Sequence, residues 1–177
     1  MKALRTKAEF RDLYASFQKN HPPQVEIAFL LQDWSDAYNV GGLFRVADSC
    51  GAKHVYMSGK TPQPEESPMI PVTSMGHHRR VPYSHHRVHE EAALAAINDG
   101  WTLVAVEITD EAACYTEFPF PPRTCLVLGN EQTGTYPSVL KHCAGAVYIP
   151  MYGKGKSMNV HVSAAIVAFQ AMVVSRS

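Results

Sequence analysis

Gly145-Ala-Val-Tyr-Ile149 reads as a strand, Pro150-Met-Tyr-Gly-Lys-Gly-Lys-Ser157 as a Gly/Lys loop, and Met158-Asn-Val-His-Val-Ser-Ala-Ala-Ile-Val-Ala-Phe169 as a helix apolar on nearly every face. Buried strand, polar loop, buried helix is the order in which an α/β protein holds a small anionic or nucleotide-like ligand. Gly155-Lys156-Ser157 has the ending of a phosphate-binding loop, but that motif requires a glycine five positions before Gly155, and residue 150 is Pro. The segment therefore does not read as an ATPase or GTPase. A plainer reading stays open, in which the lysines solvate a loop and the helix fills the core.

The same alternation extends outward along the chain. Phe10, Leu13, Tyr14 and Phe17 recur at helical spacing and predict an amphipathic first helix, ending before Pro22-Pro23 and docked on the core as an appendage. Val25 to Leu31 is a nearly continuous apolar run, the mark of a strand buried on both faces of a parallel sheet. A helix over about Val40 to Cys50, a strand over His54 to Met57 and a proline-rich excursion over Pro62 to Pro71 follow. Then come a short strand near Val81, a helix over Val88 to Asn98, and strands over Trp101 to Val106 and Thr124 to Leu128, with a short helix near Pro137 to His142. Alternating strands and helices predict an α/β domain with a mainly parallel sheet flanked by helices.

With 177 residues, 18% charged and 46% hydrophobic, the chain is long enough for one ordinary core without disulfides. Cys50, Cys114, Cys125 and Cys143 form no Cys-x-x-Cys pair and read as reduced, mostly buried thiols. The first twelve residues are too charged for a signal peptide and no later run reads as a bilayer span, so a cytoplasmic protein is expected. Zero formal net charge gives no whole-protein basic field to announce nucleic acid. A local patch, His77-His-Arg-Arg80 with His85-His-Arg87 and His89, either meets RNA phosphates or is a solvated loop. His85 and His89 lie four apart but lack a flanking Glu or Cys cluster, so no metal is expected.

Ligands in parallel α/β sheets gather at loops beyond the carboxyl ends of the strands. Three such loops stand out: Asn39-Val-Gly-Gly-Leu-Phe-Arg45, Leu128-Gly-Asn-Glu-Gln-Thr-Gly134 and Ile149-Pro-Met-Tyr-Gly-Lys-Gly-Lys-Ser-Met-Asn-Val160. Their order and content resemble the three signature motifs of the SpoU/TrmH family of RNA ribose 2′-O-methyltransferases, in the SPOUT class. The likeness runs over nearly the whole chain after Val25 and includes Thr73-Ser-Met-Gly76.

The resemblance implies a SPOUT fold whose C-terminal part is threaded into a deep trefoil knot, although true knots are otherwise nearly absent from proteins. It implies S-adenosylmethionine (SAM) as cofactor, a homodimer, and tRNA or rRNA as substrate. It divides the chain into an N-terminal helical extension, 1–22, and a methyltransferase domain, 23–177. By the same resemblance the cofactor lies on Leu128, Gly129, Gly134, Ile149, Met151 and Met158. Leucine is usual at position 158, and methionine nearly conserves its volume. Gly134 and Gly153 are expected to give backbone freedom where loops turn tightly.

Arg45 matches the family's catalytic arginine, which the family proposal uses to help remove the ribose 2′-hydroxyl proton. Because a guanidinium does not give up its proton in proteins, clamping a phosphate and steadying the developing alkoxide is the more conservative role. Asn39 is expected to orient Arg45 or the RNA, and Glu131 to pair with Arg45 or fasten its loop. Ser157 and Asn159 are expected to cap the last helix or meet the ribose. Arg79 and Arg80, with Arg45, are the candidate RNA contacts. Two other readings share the fold: an RNA-binding relative without catalysis, and a base methyltransferase.

Overall fold

The computed structural model describes residues 3–173; residues 1–2 and 174–177, which fall in the expected extension and at the end of the expected domain, lie outside the described residues. The chain runs α1 (Lys7–Asn20), β1 (Glu26–Gln32), α2 (Ala37–Ser49), β2 (Val55–Ser58), α3 (Met69–Ser74), β3 (Tyr83–His86), α4 (His89–Asn98), β4 (Thr102–Val106), β5 (Ala113–Cys114), β6 (Arg123–Leu128), α5 (Pro137–Leu140), β7 (Gly145–Tyr148) and α6 (Val160–Val173). A single 3-10 turn, His77–Arg79, lies between α3 and β3.

All the strand pairings are parallel, and the seven strands lie in the order β3-β2-β1-β6-β4-β7-β5. The chain first winds outward from β1 through β2 to β3, then crosses to the other side and builds around β4. At such a change of direction, helices leave the sheet on opposite faces and open a crevice at the carboxyl ends of the strands.

Alternation along β1 explains the two cores. Ile27, Phe29 and Leu31 point to one face and pack with Leu43 and Phe44 of α2 and with Ala164, Val167 and Ala168 of α6. Ala28 and Leu30 point to the other and pack with Ala92, Ala93 and Ala96 of α4 and Val139 of α5. A strand buried on both faces must be apolar throughout, which is why Val25 to Leu31 lacks a period-two pattern. Gly41-Gly42 lets α2 sit close to two neighbours. A Cβ on Gly41 would lie 1.8 Å from Thr73 Oγ1 of α3, and one on Gly42 would lie 2.9 Å from the ring of His161 at the start of α6.

Several expectations change. The apolar stripe of α1 is helical as predicted, with Thr6 and Glu9 forming its capping box, but it does not dock on the core: none of its residues is buried. The proline-rich excursion ends in α3, and β5 is a two-residue edge strand whose brevity leaves no pattern to read. The third strand begins at Tyr83, past Val81, whose side chain enters the core. The four cysteines are free; Cys50 and Cys125 are buried and Cys114 and Cys143 half-buried. Among the described residues, no helix is long and apolar enough to cross a membrane.

Candidate active site

The carboxyl ends of β6, β4 and β7, neighbours in the sheet, form the floor of a cleft of about 280 Å³. Leu128, Gly129, Gly134, Ile149, Met151 and Met158 all line it, as do Glu131 and Ser157. Every residue expected to hold the cofactor thus opens on one space. Its walls are apolar where Leu128, Val147, Ile149, Met158 and Val160 meet, and polar at Glu107, Lys156, Ser157 and Ser163.

The loop after β6 is tightly built. Asn130 and Gly134 exchange backbone hydrogen bonds of 3.0 and 2.9 Å, while Asn130 Oδ1 accepts from the amides of Gln132 and Thr133. Gly134 takes a left-handed φ of 72°, and a Cβ on Gly129 would lie 2.2 Å from the Gly134 carbonyl carbon. The loop closes on itself only because both positions lack side chains. Trp34 Nε1, fully buried, donates to the Gly129 carbonyl at 3.0 Å and fixes that peptide from below. Gly153, by contrast, sits in a bend but has neither a left-handed φ nor any neighbour that a Cβ would meet, so nothing at that position requires glycine.

Asn39 ties the three loops together. It is buried in the first turns of α2; its Nδ2 donates to Glu131 Oε1 at 3.1 Å, and its Oδ1 accepts from Asn159 Nδ2 at 2.9 Å. His161 Nδ1 lies 3.2 Å from the same Oδ1. Glu131 therefore pairs with Asn39 and not with Arg45. Asn159 Oδ1 accepts from the His161 amide at 3.1 Å, so Asn159 caps α6 while its other end holds Asn39. Ser157 takes no part in that cap and stays at the mouth of the cleft.

Arg45 stands apart from this network, one and a half turns beyond Asn39. Its side chain is exposed and lines a second, shallower hollow of about 300 Å³ with Gly42, Val46, Ser49, His161 and Phe169. Among the described residues no hydrogen bond or ion pair engages it. Asp48, one turn further along α2, binds Arg80 Nη1 at 3.1 Å. Arg79 is exposed on the 3-10 turn. The rest of the histidine-rich patch is dispersed: His78 is buried against Ser74 Oγ at 2.7 Å, and His89 stacks on Tyr136.

Two residues of the site give no signal in the sequence. Glu107, at the end of β4, accepts from the Thr135 amide at 2.8 Å through Oε2 and from the Ile108 amide at 3.0 Å through Oε1, bracing the second loop from the cleft side. His161 reads as one polar residue in an apolar helix, and only the fold lays it against Gly42. Burial pulls its imidazole below the ordinary histidine range, opposed in part by the Asp36 carboxylate. Among the described residues no group of three or more His, Cys, Asp or Glu could hold a metal.

A parallel-sheet domain with an apolar, glycine-edged cleft at its strand ends, beside an arginine-lined hollow, defines a nucleotide- or cofactor-binding enzyme of the α/β class. Residues 26–169 match the SpoU rRNA Methylase family, and the chain belongs to it. It is 27% identical over 167 residues to the tRNA (guanosine(18)-2′-O)-methyltransferase of Thermus thermophilus, covering 94% of this chain and 83% of that one. It is 25% identical over 148 residues to the enzyme of the same name from Escherichia coli, covering 84% of this chain and 63% of that one. The AdoMet-bound rRNA methyltransferase structure from Sinorhizobium meliloti superposes with a TM-score of 0.75 at 24% identity, covering 88% of this chain and 59% of that one.

Proposed function

We propose that this protein transfers a methyl group from SAM to a ribose 2′-hydroxyl of tRNA or rRNA. The carrying observation is the Asn39 bridge: its amide joins Glu131, which lines the cleft of the cofactor motifs, to Asn159 and to His161, which lines the hollow of Arg45. A network that fixes the two sites relative to one another serves an in-line transfer, because orienting the reactants supplies much of the acceleration.

The cleft fits SAM by its chemistry. Its volume, about 280 Å³, falls just short of the roughly 300–1,000 Å³ typical of small-molecule sites, and it offers apolar faces for a purine with backbone groups beside them. When bound there, SAM supplies an electrophilic methyl group on a positively charged sulfur. Leu128, Ile149, Met151 and Met158 hold the adenosine part by apolar contact, and the Gly129–Gly134 loop holds it by backbone groups. Arg45 clamps a phosphate beside the target ribose and steadies charge on its oxygen, with Arg80 and Arg79 extending the backbone contact. Asn39, Glu131 and Asn159 fix the loops, and Ser157 meets the ribose at the cleft mouth.

The methyltransferase domain spans 23–177 and the helical extension 1–22. Two copies pair as a homodimer, a reading supported by the exposed Phe10, Leu13, Tyr14 and Phe17 of α1 and Phe169 of α6. The segment from Ile149 into α6 is the part that the family threads as a trefoil knot. The cytoplasm is the compartment that fits an RNA-modifying enzyme of this class.

A nucleoside-level map of ribose methylation in cells with and without the gene tests this reading. One or more 2′-O-methylated nucleosides vanish from tRNA or rRNA in the deletion and return with the wild-type gene, but not with Arg45→Ala. A deletion strain that keeps every 2′-O-methyl group, with purified protein that binds no SAM by calorimetry, overturns it. Loss of a methylated base instead points to base methylation.

A further inference from the structure

The methyl-transfer reading leaves one step without an agent. A ribose 2′-hydroxyl must lose its proton, and a guanidinium cannot take it, because Arg45 already carries all the protons it can hold. The group that can is beside it. His161 lines the same hollow as Arg45, with its ring laid against the bare backbone of Gly42.

The protonation of that ring follows from its neighbours. Asn39 Nδ2 donates to the Glu131 carboxylate, which only accepts, so the opposite end of the amide, Oδ1, faces Asn159 and His161. An oxygen acceptor 3.2 Å from His161 Nδ1 places the imidazole proton on Nδ1. Nε2 is then left with its lone pair, and no protein group among the described residues bonds to it. The charged groups around the ring are Arg45 on α2 and Asp36 at its N-cap, with Glu131 reached through Asn39. Burial outweighs the Asp36 carboxylate and keeps the ring neutral near pH 7. Gly42 is part of the arrangement, since any side chain there would push the ring away.

We infer that His161 is the general base of this enzyme, accepting the ribose 2′-hydroxyl proton on Nε2 while Arg45 holds the neighbouring phosphate. The O–H bond breaks toward Nε2 as the oxygen bonds the methyl carbon, and the carbon–sulfur bond breaks with its electron pair left on sulfur. The proton then leaves the imidazole for solvent. Asn39 acts through His161, as the aspartate of a catalytic triad does, by fixing tautomer and ring orientation. The inference rests on the methyltransferase reading above.

The test pairs His161→Ala and His161→Gln with the wild type. Single-turnover transfer of labelled methyl from SAM is followed on bulk tRNA and rRNA from a strain lacking the gene. Loss of a positioned general base lowers the rate by about 10²–10⁴-fold. Both variants are expected in that range with SAM binding by calorimetry unchanged, and both lose the wild-type rise of rate with pH. His161→Gln retains an N–H donor for Asn39, so a glutamine variant with near wild-type rate assigns His161 to positioning only and overturns the inference. Nitrogen NMR of the histidines in free protein gives a reading independent of activity. His161 is expected as the Nδ1–H tautomer, titrating below free histidine; an Nε2–H tautomer overturns the assignment. A wild type that methylates no RNA sinks the methyltransferase reading itself, whereas an active wild type with an unaffected His161→Gln sinks only the base.

Discussion

At the scale of single residues, the second loop is decided by absence of side chains. A Cβ on Gly129 would sit 2.2 Å from the Gly134 carbonyl carbon and 2.4 Å from the Thr135 nitrogen, both backbone atoms that cannot swing aside. Gly129→Ala must therefore spread the loop and shift the Trp34-held peptide at the cleft edge. SAM binding by calorimetry is expected to weaken at least tenfold, about 1.4 kcal/mol. Gly153→Ala, in open space, is expected within about 0.5 kcal/mol of wild-type stability. The sequence distinguishes these two glycines poorly, since both sit in Gly-rich loops. Leu128, Ile149 and Met158 were legible through their motifs and do share one cleft. The partner of Glu131 was not, because Asn39 and Glu131 are 92 residues apart and only the parallel register of β1 with β6 brings their loops together. His161 was invisible for the same reason.

At the scale of elements, α2 is the piece on which fold and site depend together. Its motif spells Asn39-Val-Gly-Gly-Leu-Phe-Arg45: the amide joins the loops, the two glycines admit α3 and His161, and the arginine faces the hollow. Gly41→Ala would put a methyl 1.8 Å from Thr73 Oγ1, which itself donates to the Met69 carbonyl at 2.7 Å, and 3.0 Å from the Ile70 oxygen. Overpacking of this kind costs about 1–3 kcal/mol. The urea midpoint of Gly41→Ala is expected to fall accordingly with an unchanged m-value; a wild-type midpoint would show that α3 moves freely. Helices and strands with a strong period were readable, α4 and β4 among them. The amphipathic pattern of α1 also predicted its helix correctly, yet periodicity carries no information about what the stripe packs against. Among the described residues none of α1 is buried.

At the scale of the whole molecule, the buried titratable groups set a pH window for stability. Burial lowers His54, with His86 adding to it and Asp99 opposing; burial lowers His78, with Arg79 adding and Glu65 opposing; burial lowers His161, with Asp36 opposing. For a group lowered on folding, the unfolded chain binds the proton first. Its contribution is complete above the unfolded value, near 6.5 for histidine, and is lost as pH falls through the folded value. Asp33 adds a second acid limb below about pH 4, where unfolded carboxylates protonate. Burial raises it, but the Lys60 amide, the Tyr136 hydroxyl and His89 together outweigh burial and leave it lowered. On the alkaline side the sign is the same in effect and opposite in origin. Burial pushes the Cys50 thiol up to about 11 and Cys143 to about 12, so the unfolded chain loses those protons first. Their contribution is complete below the unfolded thiol value, roughly 8.5, and fades as pH rises past it. Thermal midpoints measured from pH 4 to 10 should therefore form a plateau between about 6.5 and 8.5 with a loss on each side. The acid limb that begins near pH 6.5 belongs to the histidines, so a His54→Gln/His78→Gln double variant should start lower and lose less between pH 6.5 and 5. A wild-type midpoint that stays flat from pH 8 to 5 would mean that these imidazoles titrate in the folded protein as freely as in the unfolded chain.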